Sequence, residues 1–133
     1  MRIGELAKQS KLSIETLRYY EQAGLMDTPL RLENGYRDYT HASLTLLKFI
    51  KRAKQAGFSL KEIRSLISFR EAKDQHTLDE VKTLGETKLA EIEAQILHLQ
   101  TMHKELKSIV QACCGGTASA QDCVILSALE PKL

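Results

Sequence analysis

The sequence predicts a mainly α fold: a winged helix-turn-helix over residues 1–75, a long coiled-coil helix over 76–112, and a loop with a short helix over 113–133. Three observations predict it. From Leu89 to Cys113 the apolar residues recur at alternating steps of three and four, the spacing of a coiled-coil seam. Upstream, two short helical patterns precede an Asn34-Gly35 turn flanked by arginines and a tyrosine. Downstream, three cysteines fall within eleven residues.

Composition limits what the chain does. At 133 residues, 43% hydrophobic and 27% charged, it suits one globular domain plus an extension. No apolar run is long enough to span a bilayer and no signal-peptide pattern opens the chain, so a soluble, cytoplasmic protein with no membrane partner is expected. The net charge of +2 hides an asymmetry. Residues 1–75 hold 14 Lys and Arg against 9 Asp and Glu; residues 76–133 hold 5 against 8. A basic front and an acidic back point to a polyanion partner at the front only. An odd number of cysteines without a leader argues for reduced thiols or thiolate ligands, not a disulfide framework. No histidine is placed by spacing to serve as base to a cysteine nucleophile, so an enzyme is not expected.

Ile3, Leu6 and Ala7 give the first helix its apolar face, and Gln9-Ser10-Lys11 breaks it. Ser13 can cap the second helix. Leu12, Ile14, Leu17 and Tyr20 bury part of that helix, and Thr16, Arg18 and Tyr19 face outward. Two short helices with such a face make a helix-turn-helix whose second helix can enter a major groove. Gly24 ends it where a left-handed cap is needed. Short strands flanking Asn34-Gly35, beginning near Leu30, would form a wing carrying Arg31, Tyr36 and Arg37. The planar guanidinium of Arg37 suits a phosphate.

Thr40 caps a third helix built on Leu44, Leu47, Phe49, Ile50 and Ala53, closed by Gly57. Lys48, Lys51, Arg52 and Lys54 line its other side, suited equally to solvent or to phosphates. Ser59 and Glu62 form a capping box on a fourth helix with Ile63, Leu66 and Ile67 as its core face. The long helix follows from Asp79. Its seam runs Leu89, Ile92, Ile96, Leu99, His103, Leu106, Val110 and Cys113. At 1.5 Å per residue it is about 50 Å long. A chain this small cannot cover it, so the seam asks for a second copy, paired antiparallel or parallel. His41, His98 and His103 read as structural or exposed. His76 is left open as a ligand, since it precedes the long helix and can approach the partner's cysteine end.

Gly115 and Gly116 let the chain turn back, so Cys123 can approach Cys113 or Cys114. Val124, Ile125, Leu126 and Leu129 form a short apolar helix able to fold over that loop. Soft thiolates select copper(I), zinc and their heavier congeners over magnesium or calcium. Paired thiols also suit a redox sensor.

Arg2-Ile3-Gly4-Glu5-Leu6-Ala7, Leu17-Arg18-Tyr19-Tyr20-Glu21, Asn34-Gly35-Tyr36-Arg37-Asp38-Tyr39 and Gly57-Phe58-Ser59-Leu60-Lys61-Glu62-Ile63 resemble, in order and spacing, the MerR family of metal- and stress-responsive transcription regulators. The resemblance covers residues 1–130. The Cys-Cys-Gly loop, Cys123 followed by Ile125-Leu126, and His76-Thr77 are most similar to its zinc-responsive activators of metal export. The resemblance implies a winged helix-turn-helix DNA-binding domain, a homodimer joined by a long antiparallel coiled-coil helix, and a C-terminal metal-binding loop. It implies double-stranded promoter DNA as partner, and RNA polymerase sharing a promoter whose recognition elements are spaced too far apart. It assigns DNA contacts to the second helix, here Ser13, Thr16, Arg18, Tyr19 and Tyr20, and to the wing, here Arg31, Tyr36 and Arg37. It assigns metal to Cys113, Cys114 and Cys123, with His76, Asp79 or water completing the site. Two positions depart from the zinc pattern: Leu78 stands where divalent-metal members carry a cysteine, and Ala118 where a histidine is frequent. Zinc is the expected ion, with cadmium, lead or copper(I) as alternatives, a copper(I)/silver(I)-responsive regulator or a thiol redox sensor being the rival functions.

Overall fold

The computed structural model describes residues 1–29 and 31–131. Leu30, where the predicted wing begins, and Lys132 and Leu133 of the predicted C-terminal segment lie outside the described residues. Contacts group the chain into two units, Met1–Lys88 and Leu89–Leu133.

The first unit holds α1 (Ile3–Ser10), α2 (Ile14–Gln22), α3 (His41–Gln55), α4 (Leu60–Glu71), a 3-10 turn at Lys73–Gln75, and the start of α5 (Leu78–Gln111). Helices α2 to α5 each begin where a side-chain oxygen satisfies an orphan backbone N–H. Ser13 accepts from Thr16, Thr40 from Ser43, and Thr77 from Glu80. Ser59 and Glu62 complete the expected capping box, at 3.2 and 2.7 Å. The break after α1 begins two residues later than the sequence suggests. Gln9 and Ser10 are helical, and Lys11 takes the left-handed conformation at φ 59°. Its neighbour Leu12 N–H then reaches back to Ala7 O at 3.1 Å.

Gly24 and Gly57 end α2 and α3 with the same pair of bonds. Gly24 N–H donates to Glu21 O and Leu25 N–H to Tyr20 O; Gly57 and Phe58 donate likewise to Lys54 and Ala53. Both glycines have positive φ, as this closure requires. The reversed chain brings Leu25 and Met26 into a core with Leu6, Leu17, Tyr20, Tyr39, Leu44, Leu47, Ile50, Ile63 and Ile67. Of the expected core residues Ile14 is exposed, and Ile3, Leu12, Phe49 and Leu66 are half-buried against the core.

The expected strands of the wing contract to one antiparallel bridge, Arg31 with Arg37. Leu32 N–H donates to Tyr36 O and Gly35 N–H to Leu32 O, which makes a three-residue loop with Gly35 left-handed at φ 83°. Asn34 Oδ1 accepts from Tyr36 N–H at 3.1 Å. The hairpin stays short because Leu32 and Tyr36 remain exposed and outside the core, Tyr36 meeting the Arg2 guanidinium, and an isolated hairpin gains too little to extend.

In the second unit α5 continues to Gln111, a 3-10 turn spans Ala120–Asp122, and α6 covers Val124–Leu129. The long helix starts one residue earlier and stops two residues sooner than expected. Cys113 lies in the turn that closes it, donating its N–H to Val110 O at 3.1 Å. No residue of α5 is buried. Leu89, Ile96, Leu99, Leu106 and Val110 are 48–60% exposed along one stripe. Burying one such side chain is worth about 1.5–3 kcal/mol, so this stripe is the largest unmet apolar demand in the chain. No helix is long and apolar enough to cross a membrane among the described residues.

The Ser59 backbone N–H, the Lys88 ammonium and the Ser59 hydroxyl hold the Glu62 carboxyl at about 2, below its ordinary 4.5. A carboxylate depressed in the folded state stabilises above its unfolded value, and that stabilisation is lost as pH falls toward the folded value. Urea unfolding at a series of pH values should therefore show a decline in wild-type stability between 4.5 and about 2 that Glu62→Gln flattens. Ser59→Ala should lower stability at neutral pH by about 1 kcal/mol.

Candidate nucleic-acid interface and metal loop

The outward face of α2 starts at its cap. Ser13 Oγ lies 3.1 Å from Thr16 N and 2.8 Å from Thr16 Oγ1, so these two hydroxyl groups hold one another in place. Arg18 and Tyr19 follow and are exposed. Tyr20, also expected to reach DNA, has its ring in the core instead, and burial there pushes its hydroxyl pKa up, helped by Tyr19.

Arg18 opens onto a cleft of about 490 Å³ that the wing closes. Arg31, Tyr36 and Arg37 line it from the wing, and Arg2 and Glu21 from the helical side. The structure thus brings together four of the predicted residues and adds two that sequence reasoning missed. Glu21 has only 6% of its side chain exposed, and it accepts from the Arg37 guanidinium and from the Tyr39 hydroxyl. Arg37 is consequently not the free phosphate fork the sequence suggests. Its hydrogen bond with Tyr39 and the Glu21 charge raise its pKa and keep it cationic. Burial, then the bond to Glu21, pushes the Tyr39 hydroxyl up. Helical spacing held the signal for Glu21, which lies four residues after buried Leu17 and so on the inner face. Arg2 lies with its guanidinium 4.0 Å from the centre of the Tyr36 ring.

At the start of α5, His76 packs edge-on to Phe69 at 4.8 Å between ring centres, with Nδ1 2.6 Å from Glu80. Phe69 and Glu80 thus hold the ring, leaving Nε2 for any further partner. Asp79 lies exposed beside Phe69 and Thr83. Leu78 is 90% exposed. Lys88 binds Glu62 at 2.9 Å and ties α5 to the first turn of α4.

In the second unit Cys113 and Cys123 are half-buried, Cys114 is exposed, and all three are free thiols. Gly115 and Gly116 adopt φ 71° and 99°, the tight reversal expected of them. Ser119 Oγ caps the 3-10 turn, and Cys123 N–H closes it on Ala120 O at 3.1 Å. Among the described residues no three Cys, His, Asp or Glu side chains converge as a metal cluster. Val124, Leu126 and Leu129 of α6 are exposed, so their expected cover over the loop is not formed within one chain. By chemistry the donor set fits a thiophilic ion: three thiols beside a turn able to gather them.

A helix-turn-helix, a bridged wing and an arginine-lined cleft define a DNA-binding transcription regulator. Residues 1–69 match the family described as MerR HTH family regulatory protein, and residues 44–109 the one described as MerR, DNA binding. The chain belongs to the MerR family, whose members are regulators and not enzymes. The HTH-type transcriptional regulator ZntR of Escherichia coli K12 is 46% identical over 129 residues, covering 97% of this chain and 92% of the relative. The transcription regulator PbrR691 from Ralstonia metallidurans CH34, solved with lead(II), has a TM-score of 0.84 at 32% identity and covers 98% of this chain and 99% of its own. MerR from Bacillus megaterium MB1, solved with mercury(II), has a TM-score of 0.69 at 30% identity, covering 97% and 98%.

Glu21→Ala should lower unfolding free energy by about 2–3 kcal/mol, since it strips the charged partner from Arg37 and Tyr39. It should also weaken DNA binding, although it removes a negative charge from a basic cleft, because the wing loses its anchor. Denaturant unfolding paired with a DNA shift assay checks both.

Proposed function

We propose that this chain is a cytoplasmic, metal-responsive transcription activator that binds promoter DNA as a homodimer and switches on metal-export or resistance genes. The observation that carries the reading is one helix, α5, whose exposed heptad stripe follows the DNA-binding helices and leads into a three-thiol loop. Antiparallel pairing of two copies through that stripe meets its apolar demand. Ser13, Thr16, Arg18 and Tyr19 of α2, with Tyr20 packed behind them, enter the major groove, while Arg31 and Tyr36 of the wing meet the backbone and Arg37, paired with Glu21, holds the wing in place.

Cys113, Cys114 and Cys123 hold the ion, with His76, Asp79 or water available to complete its shell. A thiolate-bound ion stabilises one dimer shape over another. That bias bends and untwists an over-long spacer so that RNA polymerase reads both promoter elements. The two relatives solved with lead(II) and mercury(II) support a thiophilic ion. The similarity to ZntR and the sequence resemblance to zinc-responsive activators support zinc, cadmium or lead as the inducer. One observation favours the copper(I)/silver(I) reading: Leu78 places no donor at the start of α5, which suits an ion needing fewer ligands.

In vitro transcription from a long-spacer promoter, with zinc, cadmium, lead, copper(I) and peroxide added in turn, tests the proposal. Zinc, cadmium or lead should activate, and Cys113→Ser or Cys123→Ser should abolish activation while leaving DNA binding in place. Activation by copper(I) alone would move the assignment to the copper class, and activation by peroxide alone would make the loop a redox sensor. Arg31→Ala should weaken binding about equally on all sequences and reduce the salt slope by about 1.

A further inference from the structure

We propose that Arg2, at the start of α1, is a further DNA-backbone grip beside Arg31 of the wing, held on the Tyr36 ring in a position to bind one phosphodiester. This rests on the DNA-binding reading above and adds a residue it does not include.

Charge in the cleft is the first argument. Arg2, Arg18, Arg31 and Arg37 line it with Glu21 as the acid among them. Glu21 is bonded to Arg37, so that pair cancels. Arg2, Arg18 and Arg31 have no ion-pair partner among the described residues, and all three are exposed. Three uncompensated guanidinium groups around one concave surface focus a field that draws an anion.

Geometry is the second. The Arg2 carbon centre lies 4.0 Å from the Tyr36 ring centre. Stacking on an aromatic ring uses the face of a guanidinium. Its N–H groups lie in the plane, at the edge, and remain able to form the paired bonds that phosphate oxygens accept. The ring therefore holds the group without consuming its donors, and less side-chain freedom is lost when the phosphate arrives. Arg2 is also the residue before α1, and its carbonyl accepts from Glu5 and Leu6 N–H at 3.1 and 3.0 Å. The backbone at the base of the side chain is thus fixed to the helix while the tip is fixed to the wing.

The contact is to phosphate and carries no base information, which the test exploits. Binding of the full chain to its promoter and to unrelated duplex of equal length is measured across a salt series. Arg2→Gln should lower affinity by the same factor on both duplexes and flatten the log–log salt slope by about 0.9 per protomer. Arg2→Lys should keep the slope, since the charge remains, with affinity between the two because the stacked plane is lost. Circular dichroism and thermal unfolding should match wild type, as the side chain is exposed. Unchanged slope and affinity in Arg2→Gln, with wild type still binding, would overturn this role and leave the DNA-binding reading intact. A loss confined to one base position would overturn it too, making Arg2 a base reader. Failure of wild type to bind either duplex would instead overturn the reading beneath it.

Discussion

A buried carboxylate has to be matched, and in this chain the match decides the shape of the arginine-lined cleft. Glu21 is nearly out of solvent, and a lone charge there is strongly unfavourable unless donors converge on it. Arg37 and Tyr39 converge on it from the far side of the wing. The wing itself has one bridge, and Leu32 and Tyr36 stay outside the core, so it has little holding power of its own. Its placement against α2 comes from that carboxylate, and from Tyr36 meeting Arg2 on the opposite edge. The basic cleft exists because a charge is buried beneath it.

The second unit is governed by an apolar stripe left in water. Hydrophobic seams of this spacing are stable when paired, because each side chain enters a hole formed by four residues of the facing helix. Charged and polar residues flank the stripe, so it is narrow, and a narrow stripe matches another helix better than a broad domain surface. His103 occupies one seam position as a polar interruption among leucines and isoleucines. A single polar seam residue weakens association and favours one register over its neighbours.

Legibility in the sequence followed the range of each interaction. Caps, glycine terminators and the capping box at Ser59 and Glu62 are local, and each was readable from residues three or four apart. The core faces of α1 to α4 were readable from period, except at Ile14, which the structure leaves exposed. The Asn34-Gly35 turn was readable, but its strands were not, because strand length depends on what packs against it. Least legible were contacts across the cleft. Arg37 and Glu21 are 16 residues apart, and nothing local distinguishes a guanidinium paired with an acid from one waiting for a phosphate. The same holds for Arg2 on Tyr36. In the loop, three cysteines announced thiolate chemistry, but spacing alone does not bring their side chains together, and the described residues form no metal-ligand cluster.

Energetics constrain how such a loop would control DNA. Smooth bending over a short site takes about 1–6 kcal/mol. An ion that binds both dimer shapes equally shifts neither, however tightly it is held. Affinity in the loop is therefore not the controlling quantity; the difference in affinity between shapes is. A shift from about 1:99 to 99:1 takes roughly 5.5 kcal/mol of such difference, which reaches the upper part of the bending range. A loop whose thiols are already clustered in both shapes supplies none of it. Here Cys113 lies in the turn after α5 and Cys123 just before α6, with the glycine turn between them, and among the described residues the thiols form no metal-ligand cluster. In the proposed mechanism an ion that gathers them moves the loop, and that movement would give the ion unequal affinity for two shapes.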